Sequence, residues 1–157
     1  MIKEIWVNSW TGLRNAFADS RNQATRVILA RSFAVPQRGP FSCIAVAAPY
    51  ELRIDGNGHF IDAGRYPPQE VGNILTINAR PQVEIRELGL RNFAGRGAGI
   101  KIEDCLDVVA ADCVRERFDL PVESCDSPRA QNMAFSQGWA GRCRTLTEYR
   151  PRVRFVL

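Results

Sequence analysis

His59 is the sole histidine of this 157-residue chain, and it lies between Asp55 and Asp62. An imidazole that titrates near neutral pH, with carboxylates four residues before it and three after it, is a candidate general base. The competing reading makes His59 a turn residue behind Gly58 in the run DGNG. Two other clusters carry binding chemistry. Arg65 and Tyr66 open the segment GRYPPQEVG (residues 64–72), whose adjacent prolines stiffen a protrusion. Binding residues favour loops on rigid scaffolds, and arginine and tyrosine are enriched at interface hot spots. Near the C-terminus Arg142, Arg144, Arg150, Arg152 and Arg154 fall within thirteen residues, alongside Trp139 and Tyr149. Such a stripe fits phosphate backbones and stacked bases, and it equally fits an acidic segment of its own chain.

That acidic segment exists. Residues 101–126 hold eight acids against three bases, a net of −5, whereas residues 127–157 hold six arginines against one glutamate, a net of +5, within a total of +4. Arginine supplies 19 of the 21 basic residues, and its planar fork matches carboxylates and phosphates better than an ammonium does. Five cysteines (Cys43, Cys105, Cys113, Cys125, Cys143) form no CxxC pair, so no zinc-like spacing is present and neither a metal nor a cofactor is expected. They read as reduced thiols serving as small core residues, with Cys125 and Cys143 the pair to bridge if any does. GRGAG at Gly95 to Gly99 lacks the spacing of a phosphate loop, no helix is expected after it, and it reads as a corner. The opening MIKEIWVNSW has no apolar leader core and no run approaches a membrane span, so a cytoplasmic protein without membrane contact is expected.

The elements that must position these residues are written in a repeat. Gln82 to Phe93 (QVEIRELGLRNF) recurs, degenerate, as Leu106 to Phe118 (LDVVAADCVRERF), and placing Ile85 over Val109 sets Leu90 over Val114 and Arg91 over Arg115. Self-similarity at a period of about 20 to 30 residues, in short strands without intervening helices, indicates stacked β coils around a shared core. Alternation of apolar and polar residues predicts strands at 4–8, 27–34, 43–47, 50–55, 59–62, 74–78, 83–87, 99–103 and 106–111. Thr11 is the expected N-cap of a helix over residues 12–20, whose stripe of Leu13, Ala16 and Phe17 would cover the open end of the core. Beyond residue 118 the pattern breaks into turn formers, a short helix near Arg129 to Phe135 and a final strand Arg150 to Leu157. The expectation is one all-β domain: a short right-handed parallel β-helix with a cap and first coil over 1–34, coils over 35–118, and an irregular capping tail over 119–157. A β-sandwich is the structural rival.

The segments ELRIDGNGHFIDAG, ILTINARPQVEIRELGLRNF and GAGIKIEDCLDVVAADCVRERF together resemble the coils of the pectin-lyase-like superfamily of right-handed β-helices. The resemblance covers roughly residues 1–118 and concerns coil-forming pattern, which many activities share. It implies polysaccharide cleavage as one activity, either by carboxylates about the glycosidic bond or by calcium-binding acids with a basic side chain. The hydrolase pattern of that superfamily is matched here by an isolated Gly58-His59, and no acids align on successive coils. If Ile54 lies beneath Ile85, Arg53 stacks on Glu84 and Asp55 on Arg86, which makes these charges a structural ladder. The expected function is therefore a non-catalytic binding module for another protein, as in a phage or mobile-element inhibitor of a host complex. The alternatives are a carbohydrate-active enzyme with Asp62, His59 and Arg65 as its site, a nucleic-acid binder, or a tail or spike component that forms homo-oligomers.

Overall fold

Strands of two to five residues and a single helix make up this computed structural model, which describes residues 1–36, 38, 41–62, 74–91, 100–103, 105, 107–111, 114–115, 132–136 and 153–156. In chain order they are β1 (Lys3–Val7), α1 (Trp10–Asp19), β2 (Thr25–Leu29), β3 (Phe33–Ala34), β4 (Cys43–Ala45), β5 (Leu52–Asp55), β6 (Phe60–Asp62) and β7 (Leu75–Asn78). There follow β8 (Gln82–Arg86), β9 (Gly89–Arg91), β10 (Ile100–Glu103), β11 (Asp107–Ala111), β12 (Val114–Arg115), β13 (Asn132–Ser136) and β14 (Val153–Val156). They form three parallel sheets ordered β1-β2-β5-β8-β11-β13-β14, β3-β6-β9-β12 and β4-β7-β10. From β2 to β12 the chain visits the three sheets in strict rotation. The expected predominance of strand, with one helix near the N-terminus, is found. The parallel pairing is unlike the antiparallel hairpins of a sandwich.

Alternation decides which side chains are inside. Leu52 and Ile54 of β5 and Val83 and Ile85 of β8 are buried, and their neighbours Arg53, Asp55 and Glu84 face outward. The pairing sets Ile54 on Ile85, Arg53 on Glu84 and Asp55 on Arg86, as the pattern predicts. One core joins these residues to Val27 and Leu29 of β2, Ile61 of β6, Leu75 and Ile77 of β7 and Ile100 and Ile102 of β10.

The repeat is corrected by one residue. Ile85 pairs with Ala110, Val109 lies opposite Glu84, and Val114 and Arg115 lie opposite Gly89 and Leu90. The run Val108–Ala111 is apolar at both alternate sets of positions, so periodicity cannot choose between registers that differ by one residue. The expected strand over 27–34 divides into β2 and β3 where Ala30 donates its N–H to the carbonyl of Val7. The expected helix near Arg129 to Phe135 is also corrected, because Asn132–Ser136 is a strand paired on both sides, with β11 and with β14. A segment with a partner on each edge satisfies its backbone without helical bonds.

Ser9, not Thr11, caps the helix. Its backbone is extended (φ −154°, ψ 162°) and its Oγ accepts the Gly12 N–H at 3.0 Å. This earlier start brings Trp10 into the buried stripe with Leu13, Ala16 and Phe17. The helix rests on β1, β2 and β4. Among the described residues, no helix is long and apolar enough to cross a membrane. The segments 64–72 and 95–99, expected as an excursion and a corner, lie outside the described residues.

Candidate functional site

The outer face of the first sheet carries charges that are already engaged. Arg26 of β2 reaches down to Glu4 of β1 (Nη1–Oε1, 3.0 Å) and up to Asp55 of β5 (Nη2–Oδ2, 2.6 Å). The bond to Asp55 is the main cause that raises the affinity of Arg26 for its proton. Asp55 spends its other oxygen on the Asn57 N–H at 2.9 Å. On the next rows Arg53 binds Glu51 at 3.1 Å and approaches Glu84 at 4.0 Å, and Arg86 also binds Glu84. The expected ladder is present, and it links acids to arginines both between neighbouring strands and along one strand. Among the described residues no three His, Cys, Asp or Glu side chains converge as a metal-binding group.

His59 sits in a tight turn. Asn57 (φ 52°) and Gly58 (φ 76°) adopt the left-handed region, the His59 N–H donates to the Gly56 carbonyl at 2.8 Å, and its own carbonyl accepts the Gly89 N–H at 3.0 Å. The backbone role matches the turn reading. Gly56 itself permits the closest approach of successive turns, since a Cβ there would lie 2.3 Å from the Glu87 carbonyl oxygen.

A second cluster was not anticipated. Arg80 is 1% exposed and its five N–H bonds all find acceptors on other segments. Nε and Nη2 donate to the Val46 carbonyl (3.1 and 2.8 Å), Nη1 to the carbonyls of Ser20 (2.9 Å) and Tyr50 (3.3 Å), and Nη2 also to Ser20 Oγ (3.0 Å). Burial lowers the affinity of this guanidinium for its proton, while the carbonyl dipoles around it suit its positive form. Above this buried cation run Ile44, Val46 and Tyr50, which are 52%, 44% and 39% exposed. The only sequence signal for the strip is that residues 41–50 (FSCIAVAAPY) carry no charge. For Arg80 there was none, because its acceptors are carbonyls, which every residue type supplies.

The residues singled out for binding fare differently. Arg65, Tyr66, Trp139, Arg142, Arg144, Tyr149, Arg150 and Arg152 lie outside the described residues. Arg154 is in β14, opposite Ala134 of β13. Of the cysteines, Cys43 and Cys105 are buried free thiols, as expected of small core residues, and burial pushes the Cys43 thiol up to about 12. The suggested Cys125–Cys143 pair lies outside the described residues. No family model, curated protein or solved structure matches this chain.

Proposed function

We propose that this chain is a short right-handed parallel β-helix, capped at its first coil by α1, that serves as a non-catalytic binding module for another protein. Rotation of the strands through three parallel sheets supports the coiled architecture. Parallel crossovers are right-handed in nearly all proteins, which supports the hand. The coil-forming pattern of the segments that resemble the pectin-lyase-like superfamily agrees with this reading.

One observation carries the functional reading: Asp55 and Glu84, carboxylates on the outer face of the first sheet, are held by Arg26, Arg53 and Arg86. A general acid or base has to offer a free oxygen to the substrate, and these are committed to neighbouring strands. The test retains proteins from extracts of the source cells on the immobilised chain at low and high salt, alongside cleavage assays on uronic-acid polysaccharides. One stoichiometric protein retained at both salt concentrations supports a binding module. Cleavage of a polysaccharide, or retention of nucleic acid alone with a steep salt dependence, overturns it.

A further inference from the structure

The uncharged run at residues 41–50 folds so that alternate side chains part company. Cys43 and Ala45 are wholly buried, while Ile44, Val46 and Tyr50 face outward together with Ala47 and Pro49. An outward apolar strip costs solubility and asks for a partner. Its backbone is unusually well fastened for an exposed segment. Arg80 grips the carbonyls of both Val46 and Tyr50, and between them the Ala48 N–H donates to the Ala79 carbonyl at 3.3 Å. Ordering costs that a binding loop normally meets on association are thus met on folding.

The border of the strip is cationic. The helix lies against β4, where the charge of its exposed Arg14 is felt by the Cys43 thiol, and Ile44 is the next residue along that strand. Arg21 follows Ser20, whose carbonyl shares the Arg80 guanidinium with those of Val46 and Tyr50. Arg26, Arg53, Arg80 and Arg86 all have engaged side chains, whereas the Arg14 and Arg21 side chains make no hydrogen bond or ion pair among the described residues. Residues 1–50 hold six bases against two acids, a net of +4.

We propose that Ile44, Val46 and Tyr50, bordered by Arg14 and Arg21, form the docking surface for an acidic protein segment bearing aliphatic or aromatic side chains. The proposal rests on the protein-binding reading and names the surface and the chemistry of its partner. Apolar anchors fill the strip, and carboxylates beside them meet the guanidinium groups of Arg14 and Arg21, which give bidentate pairs. Nucleic acid fits less well, because two of the three anchors are aliphatic and offer no π face for a base.

The test uses the full chain and a fluorescent 20-residue peptide of Asp and Glu with Leu and Phe at helical spacing, read by anisotropy. Comparison probes are the same peptide with Leu and Phe replaced by Gln, a 20-nucleotide single strand, and vesicles containing phosphatidylserine. We expect saturable binding of the first peptide, at least tenfold tighter than of the Gln peptide or either comparison probe. Ile44→Asp with Tyr50→Asp weakens it at least tenfold, as does Arg14→Glu with Arg21→Glu, and both double variants keep the wild-type circular dichroism. Equal binding of the Gln peptide, tighter binding of the nucleotide or vesicles, no saturable binding, or insensitivity to both double variants overturns the proposal. So does a wild-type dimer in light scattering that Ile44→Asp dissociates, since a second copy would then occupy the strip. A cellular partner retained equally by wild type and both double variants overturns this surface while leaving the binding-module reading in place. Absence of any partner for wild type overturns that reading itself.

Discussion

Gly56 and Arg80 show how single residues hold distant segments of the chain at contact distance. At Gly56 an added methyl group would meet the backbone of Glu87 and Leu88 at 2.3 to 2.6 Å, and backbone cannot swing aside as a side chain does. Gly56→Ala should therefore cost about 3 kcal/mol in urea unfolding, a large value for a single methyl group. Arg80→Met should cost about 3 kcal/mol as well, because the carbonyls of Ser20, Val46 and Tyr50 lose their donors together. Arg80→Lys should recover only part of that loss, since one ammonium lacks the planar fork that serves three segments. Cys43 makes stability depend on alkaline pH. Its thiol rises from the ordinary 9.0 to about 12 through burial, so the unfolded chain releases this proton above pH 9 while the native chain keeps it. Stability is then full below pH 9 and falls by about 1 kcal/mol per pH unit toward pH 12. Urea midpoints measured across that range should flatten in Cys43→Ala relative to wild type.

At the scale of elements, the helix and the outer ladder make unequal contributions. The helix depends on its cap and its apolar stripe. Ser9→Ala should cost about 1 kcal/mol, because the Gly12 N–H loses its acceptor, whereas Thr11→Ala, inside the first turn, should stay within about 0.5 kcal/mol of wild type. Equal effects of the two substitutions in thermal unfolding would contradict the assigned cap. The ladder of Glu4, Arg26, Asp55, Arg53, Glu84 and Arg86 lies at the surface, where solvent screens charge. A double-mutant cycle on Arg53 and Glu84 should accordingly return less than about 1 kcal/mol of coupling. The ladder's greater effect is on pairing, since a slip by one residue would set Arg53 against Ile85 and turn the apolar row outward.

For the molecule as a whole, the helix stripe and the strand rows belong to one core, which makes unfolding cooperative. Phe17→Ala in the helix and Ile54→Ala in β5 should each remove about 3 kcal/mol from the same transition. Far-ultraviolet circular dichroism and tryptophan fluorescence should follow that transition together, and a helix that melted ahead of the strands would separate the two curves. Charge is arranged at this scale too. The first fifty residues carry the equivalent of the entire net charge of +4, while the segments 101–126 and 127–157 offset one another. A long-range attraction for acidic partners should therefore centre on the first fifty residues, which include the exposed Arg14 and Arg21.

Much of this architecture was legible in linear order because alternation and helical spacing are local properties. The inward rows of β5 and β8, the pairing of Arg53 with Glu84, and the buried face of Leu13, Ala16 and Phe17 follow from which residues share a side of the backbone. The parallel sheets were legible from the repeat. Its register at β11 was not, because Val108 to Ala111 satisfies either parity and only the neighbouring strand selects one. The candidate surface was hidden for a related reason. Its scaffold is a guanidinium bonded to carbonyls contributed by residues 20, 46 and 50, far from position 80 in the chain. Carbonyl acceptors leave no mark on side-chain pattern, and the exposure of Ile44 and Val46 depends on which face of β4 the helix and the core leave uncovered. Side-chain type could therefore be read along the chain, whereas the joining of distant backbone groups around Arg80 arises only when the sheets assemble.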